Sequence, residues 1–214
     1  MKSIVRNIIL LVVIINNIFL SFKVSAVSLN IESKYVIENK QDLENFKDQL
    51  LNLSTASDVA VSFIKESICY GEAVKDISKK FIKYTDNEEV KKIAEEIILK
   101  QDKDLSVRNE LLEEVSKNII DNKEKEASYI EMYKRSLNDA FQKIHNIFTN
   151  TETLEEIYLN TMLVCYEGDL KMETTVLRYI DNESLRDEIK MEIEAENKQV
   201  NIMKDVLKNY KKSK

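Results

Sequence analysis

The chain of 214 residues is 43% hydrophobic and 33% charged, with no Pro, no Trp and only two glycines, Gly71 and Gly168. Sheet-rich folds need Gly and Pro at their frequent turns, and phosphate-binding loops need several glycines close together. This composition excludes both and predicts an all-α protein. The single histidine, His145, excludes sites that need two imidazoles, such as a His-rich zinc site or a paired Glu-x-x-His di-iron centre.

The first 26 residues have the organisation of an export signal. A basic start with Lys2 and Arg6 is followed by a short apolar run over residues 8–20. The segment ends in the small-residue cleavage pattern Val24-Ser25-Ala26. An uncleaved membrane anchor is the alternative, but about 20 apolar residues are needed to span a bilayer. We therefore predict a signal peptide over 1–26, a secreted or cell-surface protein, and no stable membrane insertion after cleavage.

Cleavage after Ala26 would make the chain more acidic. It would remove three of the 32 basic residues and none of the 38 acidic ones, which leaves 29 basic against 38 acidic residues and a formal charge of −9. Such a charge disfavours nucleic acid as a partner. A homo-oligomer is compatible with the sequence, and the identity of any other partner stays open.

Six helices are predicted after a lead-in segment over residues 27–40, which has no clear periodicity. Apolar residues recur at steps of three and four, and short polar sequences interrupt them. The predicted helices begin near residues 41, 59, 88, 123, 152 and 183, and they end near residues 53, 84, 120, 148, 180 and 210.

An internal repeat relates the two halves of the chain. Tyr84-Thr85-Asp86-Asn87-Glu88 matches Tyr179-Ile180-Asp181-Asn182-Glu183 at four of five positions, at an offset of 95 residues. Apolar positions follow the same offset, as Ile77 and Met172 do. Each repeat is therefore predicted to be a short helix followed by a long antiparallel helical hairpin.

Two such hairpins can bury the apolar stripes that one hairpin alone would expose. We expect a four-helix core made of the two hairpins, related by an approximate twofold axis, with shorter flanking helices outside. The first repeat covers residues 41–118, and residues 119–214 hold a linker helix and the second repeat. The turns at Asp86-Asn87 and Asp181-Asn182 should connect antiparallel helices.

Two stretches resemble a known family. Glu167-Gly168-Asp169-Leu170-Lys171-Met172 is similar to a Glu-Gly-Ala-Ile-x-Met motif, and Gln101 and Leu105 match the Gln and Ile of a later Gln-x-x-x-Ile-x-x-Met helix. Both motifs belong to the family called domain of unknown function 305. That family is ferritin-like in fold and includes exported proteins, some of which bind copper. The resemblance implies an exported ferritin-like helical bundle with metal-binding ancestry.

The chain departs from the family at the ligand positions. The family's His-His doublet falls on Cys165-Tyr166 in the second repeat and on Tyr70-Gly71 in the first. Donor side chains do follow one face of the fifth predicted helix at steps of three and four: Met162, Cys165, Asp169 and Met172. Cys165 and Met172, with Met203 opposite, are soft donors that suit Cu(I). The alternative is that they pack the core, as Met at helical spacing usually does.

Cys69 and Cys165 form a candidate disulfide, because two cysteines in an exported chain invite pairing. Their offset is 96 residues, one more than the repeat. One residue rotates a side chain by about 100° around a helix, so the two thiols need not face each other. A disulfide would also consume the thiolate that a Cu(I) site needs.

Other candidate sites have weaker patterns. His145 lies beside an apolar stripe and is interpreted as a rim or core histidine, with a nucleophilic pair to Cys69 or Cys165 as the alternative. The sixth helix carries an acidic run that is typical of a solvated face, or of a weak divalent-cation site: Asp187, Glu188, Glu192, Glu194 and Glu196. No Glu-x-x-His motif supports ferritin-type oxidation.

These observations favour a protein that is not an enzyme. We expect an exported ferritin-like bundle that acts as a binding or structural module, with a largely decayed metal site and no bound cofactor. The alternative function is extracytoplasmic copper binding or buffering by Cys165, Met172 and Met203.

Overall fold

The computed structural model describes residues 33–53, 56–151 and 153–212. These residues contain no strand and form six helices: α1 (33–51), α2 (Val59–Ile82), α3 (Glu88–Val115), α4 (Lys123–Asn150), α5 (Leu154–Val176) and α6 (Glu183–Lys212). The prediction of an all-α bundle is confirmed. The predicted signal peptide lies outside the described residues. No helix within the described ranges has the length and apolar character needed to cross a membrane.

The prediction of an irregular lead-in over 27–40 is wrong for its described part, because residues 33–40 belong to α1. Tyr35 and Asn39 are buried and extend the stripe of Leu43 at steps of four. The polar Asn39 conceals this periodicity in the sequence. Its side-chain amide donates a hydrogen bond to the Tyr35 carbonyl at 2.9 Å, which satisfies the amide inside the helix.

The 95-residue repeat is visible in the helix boundaries. The hairpin helices of the first repeat begin at Val59 and Glu88, and those of the second begin at Leu154 and Glu183. Both pairs of starting residues are 95 positions apart. The repeat therefore sets where each hairpin helix begins, as well as the sequence of the turn.

Asparagine caps fix both turns. Asn87 accepts hydrogen bonds from the backbone N–H groups of Glu89 and Val90, each at 3.1 Å. Asn182 accepts one from the N–H of Leu185 at 2.9 Å. These bonds satisfy amides that have no partner within the first turn of a helix. The predicted interruptions at Asp86-Asn87 and Asp181-Asn182 are confirmed.

Both hairpins are antiparallel. In the first, Lys75 of α2 pairs with Asp102 of α3, whereas the earlier Ser67 accepts a hydrogen bond from the later Arg108. The second hairpin has the same direction, because Lys204 of α6 lies beside Glu167 of α5. Residues early in one helix thus lie beside residues late in the next, as in any antiparallel pair.

The hairpins pack on each other through α2 against α5 and, more sparsely, through α3 against α6. Phe81 of α2 stacks on Tyr158 of α5 with ring centroids 3.9 Å apart. Outside this core, α4 packs on α5 and α2, and α1 contacts α2 where Tyr35 meets the edge of Phe81. The expectation of shorter flanking helices holds for α1 only, since α4 has 28 residues, as many as α3.

Candidate metal centre

Three buried carboxylates meet where α5 faces α6. Asp169 and Glu173 lie one turn apart on α5, and Glu196 approaches from α6. All three side chains are at most 1% exposed. One oxygen from each carboxylate lies within 4.8 Å of the other two. Residues from two helices therefore bring three anionic donors to one point inside the core.

Most oxygen atoms of this carboxylate cluster (Asp169, Glu173 and Glu196) have no hydrogen-bond partner among the described residues. Both oxygens of Asp169, both of Glu173 and Oε2 of Glu196 are buried and unpaired. Buried polar atoms are almost always paired, because desolvation without a partner costs roughly 1–3 kcal/mol for each group. Five such oxygens at one place indicate that the cluster needs protons or a cation.

Burial controls the ionisation of the cluster. It raises the pKa of Glu173 to about 12, and the charges of Glu196 and Asp169 raise it in the same direction. Burial also raises the pKa of Glu196 well above its ordinary value. It raises the pKa of Asp169 to about 6, against the opposing effect of Arg108. Without a cation, Glu173 therefore holds a proton at neutral pH, and a bound cation would replace it.

Helix α3 supplies two positive charges on one side of the cluster. The Arg108 guanidinium is 3% exposed, lies 3.3 Å from a carboxylate oxygen of Glu192, and donates a hydrogen bond to the Ser67 carbonyl. The Lys100 ammonium lies 3.6 Å from Oε1 of Glu196. Two cations cannot neutralise four buried carboxylates, namely the three of the cluster and Glu192. Protons on the cluster, or a further cation, must therefore supply the missing positive charge.

The donor set fits a hard divalent cation. Carboxylate oxygens are the preferred ligands of Ca²⁺, Mg²⁺ and Mn²⁺. Two oxygens on opposite sides of an ion, each about 2.1–2.5 Å from it, are about 4.2–5.0 Å apart. The three oxygens of the carboxylate cluster lie within 4.8 Å of one another, so each pair is close enough to bind one ion.

The soft donors predicted from the sequence, Cys165, Met172 and Met203, are all buried, but they do not all line one cavity. Cys165 and Met172 line a cavity of about 20 Å³ together with Phe46 and Tyr70, and Met203 is not among the residues that line it. Burial raises the pKa of the Cys165 thiol to about 12. The thiolate form that binds Cu(I) is therefore disfavoured until a metal displaces the proton.

The candidate disulfide is not formed, because Cys69 and Cys165 are both free. Tyr70, which is 95 positions before Cys165, is the residue that meets the Cys165 thiol. Cys69 is turned away from it and lines a surface groove together with Phe46 and Glu72. The one-residue difference from the repeat thus rotates Cys69 out of the hairpin interface.

His145 is exposed on the rim of a groove of about 520 Å³ between α1 and α4. No cysteine lines this groove, and His145 lines neither the groove of Cys69 nor the cavity of Cys165. The position agrees with the interpretation as a rim histidine. The alternative, a Cys-His nucleophilic pair, has no support in the described part of the chain.

The acidic residues of α6 lie on different faces of the helix. Glu192 and Glu196 point into the core, whereas Glu194 is exposed. The two inward residues continue the apolar stripe of Leu185 and Ile189 at steps of three and four, and this signal was present in the sequence. The interpretation of the run as a solvated face is wrong for these two residues. Glu173 was missed because it stands beside Met172, which occupies a family position.

A comparison with protein-family models, curated proteins and solved structures finds no match to this chain.

Proposed function

We propose that this protein is a non-enzymatic helical bundle that binds one hard divalent cation at the carboxylate cluster. The observation that carries the proposal is the convergence of Asp169, Glu173 and Glu196, whose buried oxygens lie within 4.8 Å of one another and are mostly unpaired. A cation would supply the missing interactions for all three groups at once.

The environment of the site supports binding rather than turnover. The three carboxylates are enclosed between α5 and α6, and Arg108 and Lys100 lie on one side of them. A substrate larger than an ion would have to separate the packed helices to reach them. A buried ion held by three acidic side chains would mainly stabilise the hairpin and link its helices.

We also propose that the protein is exported and that it descends from the ferritin-like family described above. The basic and apolar start and the Val24-Ser25-Ala26 sequence support export. The motif around Gly168 supports the family relationship, with Asp169 as a member of the carboxylate cluster. In this account, the ancestral ligand set has been lost and oxygen donors of the second hairpin hold the cation.

Isothermal titration calorimetry with Mn²⁺ and Ca²⁺ on metal-stripped protein tests the proposal. We expect one ion per chain, with binding lost in Glu173→Gln, which keeps the size of the side chain and removes its charge. Glu194→Gln on the exposed face of α6 is the matched control and should bind as the wild type does. Absence of binding, or equal loss in both variants, would contradict the proposal.

Copper binding is the second candidate, supported by the shared cavity of Cys165 and Met172. A Cu(I) titration under reducing conditions distinguishes it from binding at the carboxylate cluster. If Cu(I) binds, Met172→Leu should weaken it and Glu173→Gln should leave it unchanged. Copper binding that fails to respond to Met172→Leu would exclude this ligand set.

A further inference from the structure

We propose that Gln101 of α3 supplies a neutral oxygen ligand to the cation at the carboxylate cluster, so that the bound ion links the first hairpin to the second. This inference rests on the proposed cation site. It adds a ligand from the first hairpin, which contributes no carboxylate to the cluster.

Gln101 lies on the face of α3 that meets α6. The neighbouring Lys100 contacts Glu196, and Arg108 contacts Glu192 one turn earlier on α6. Gln101 and Arg108 are seven residues apart, which is about two turns, so their side chains leave α3 on the same side. The Gln101 side chain therefore leaves α3 on the side from which Arg108 reaches α6.

The oxygen of the Gln101 side chain is available as a ligand. Gln101 is 1% exposed, and its Oε1 atom has no hydrogen-bond partner within the described residues. Gln101 lies beside Tyr166 of α5, which is about one turn before Asp169 on the same helix. Amide oxygens commonly complete the coordination of hard cations that carboxylates hold.

Gly71 provides the space for this amide. A Cβ atom at Gly71 would lie 2.6 Å from Oε1 of Gln101 and 3.2 Å from Nη1 of Arg108. The first contact is closer than real Cβ atoms come, so a side chain at position 71 would displace the amide. The equivalent position of the second repeat holds Tyr166, a large residue, so the small residue is particular to the hairpin that carries Gln101.

The repeat gives an independent reason for this arrangement. Gln101 is the equivalent of Glu196, 95 positions away, and both are at most 1% exposed. The two side chains therefore enter the core from corresponding points of α3 and α6. These helices contact each other sparsely, so an ion held by both would strengthen the weaker side of the bundle.

Mn²⁺ titration of three variants of the full protein tests the inference. We expect Gln101→Leu to weaken Mn²⁺ binding by about tenfold or more, the range found when metal-site partners are lost. Gln101→Glu, which keeps an oxygen at the same place, should bind at least as tightly as the wild type. Gly71→Ala should weaken binding without altering any proposed ligand. Gln142→Leu on the exposed face of α4 is the matched control and should change nothing.

The outcomes separate this inference from the proposed function. If the wild type binds no Mn²⁺, the cation site itself is wrong. If the wild type binds and Gln101→Leu binds equally well, the site stands and the role of Gln101 is overturned. If Gln101→Leu does not fold, as judged by circular dichroism, Gln101→Glu decides, and a tenfold weaker affinity in that variant overturns the inference.

Discussion

The two hairpins have equivalent helices, yet their equivalent buried positions carry side chains of different chemical type. Three positions of the first hairpin, each at most 1% exposed, correspond to the carboxylate cluster of the second: Val74, Ser78 and Gln101. The first hairpin forms its helix pair without an acid at any of them. The fold therefore does not require the carboxylates at these places, which indicates that they serve a ligand.

Exchange of residues between the hairpins should have the largest effect. Asp169→Val together with Glu196→Gln gives the second hairpin the residues of the first at two of these three positions, at nearly constant size. We expect Mn²⁺ binding to be abolished and the free energy of unfolding of the metal-free protein to rise by about 1–3 kcal/mol, because buried oxygens without hydrogen-bond partners are removed. Arg108 keeps its pair with Glu192, and Lys100 keeps its pair with Asp104. Calorimetry and urea denaturation measure the two effects.

The reverse exchange is the control for this prediction. Val74→Asp introduces a buried carboxyl group into the first hairpin, and it should destabilise the metal-free protein. Retained Mn²⁺ binding in the double variant, or a loss of stability comparable to that of Val74→Asp, would show that the carboxylates belong to the fold and not to a ligand.

The contact between the hairpins is also unequal. Phe81 and its equivalent Val176 are both fully buried, but only Phe81 is an aromatic residue stacked on Tyr158. Phe81→Ala should lower the free energy of unfolding by about 3–5 kcal/mol, through lost burial and the cavity that remains. Val176→Ala removes fewer atoms and should cost less. Thermal unfolding of both variants measures the difference, and equal losses would exclude a special role for the stacked pair.

The first hairpin has a buried acid of its own at a different position. Glu66 is 2% exposed and accepts a hydrogen bond from the Tyr129 hydroxyl at 2.7 Å, and its equivalent in the second repeat is Thr161. Burial raises the pKa of Glu66 to about 8, against the Tyr129 hydrogen bond, which lowers it. The charge of Glu126 raises this pKa further, and that of Lys134 lowers it. The folded protein therefore retains a proton there that the unfolded chain releases near pH 4.5.

This raised pKa makes stability depend on pH. The contribution of Glu66 is fully present below about pH 4.5 and declines as the pH rises to about 8, by roughly 1.4 kcal/mol for each pH unit. Glu66→Gln should remove this part of the decline, as urea denaturation at several pH values can measure. Glu194→Gln on the exposed face of α6 should leave the decline as it is. An unchanged slope in Glu66→Gln would show that Glu66 is ionised in the folded protein.

The turn caps are where the hairpins are most alike, and they should give the smallest effects. Asn87→Ala and Asn182→Ala should each lower the free energy of unfolding by about 1 kcal/mol, since each removes a cap. The losses should add in the double variant because the caps lie in different hairpins. Denaturant titration of the three variants tests this, and a strongly non-additive loss would indicate that the two turns are coupled.

The sequence predicted the features that depend on residues close together in the chain, namely the helix starts and the turns. Polar turns and apolar spacing placed the starts of the hairpin helices, and the shared Asp-Asn turn revealed the repeat. The first helix was underestimated because the buried Asn39 interrupts its apolar stripe. Local patterns are sufficient here because caps and stripes act within a few residues of each other.

The candidate site was only partly predictable. Asp169 was noticed on the correct helix face, and the stripe through Leu185 and Ile189 could have shown that Glu192 and Glu196 point inward. The approach of Arg108 and Gln101 depends on how α3 packs on α6, which no local pattern specifies. The family resemblance pointed instead to the soft donors Cys165, Met172 and Met203.

Diffraction from crystals grown with Mn²⁺, with data collected at the manganese absorption edge, tests the central claim most directly. We expect one anomalous peak per chain, between the carboxylates of Asp169, Glu173 and Glu196 and within about 2.5 Å of an oxygen from each. A peak confined to surface carboxylates, or a crystal soaked in Mn²⁺ with no peak at the carboxylate cluster, would contradict it.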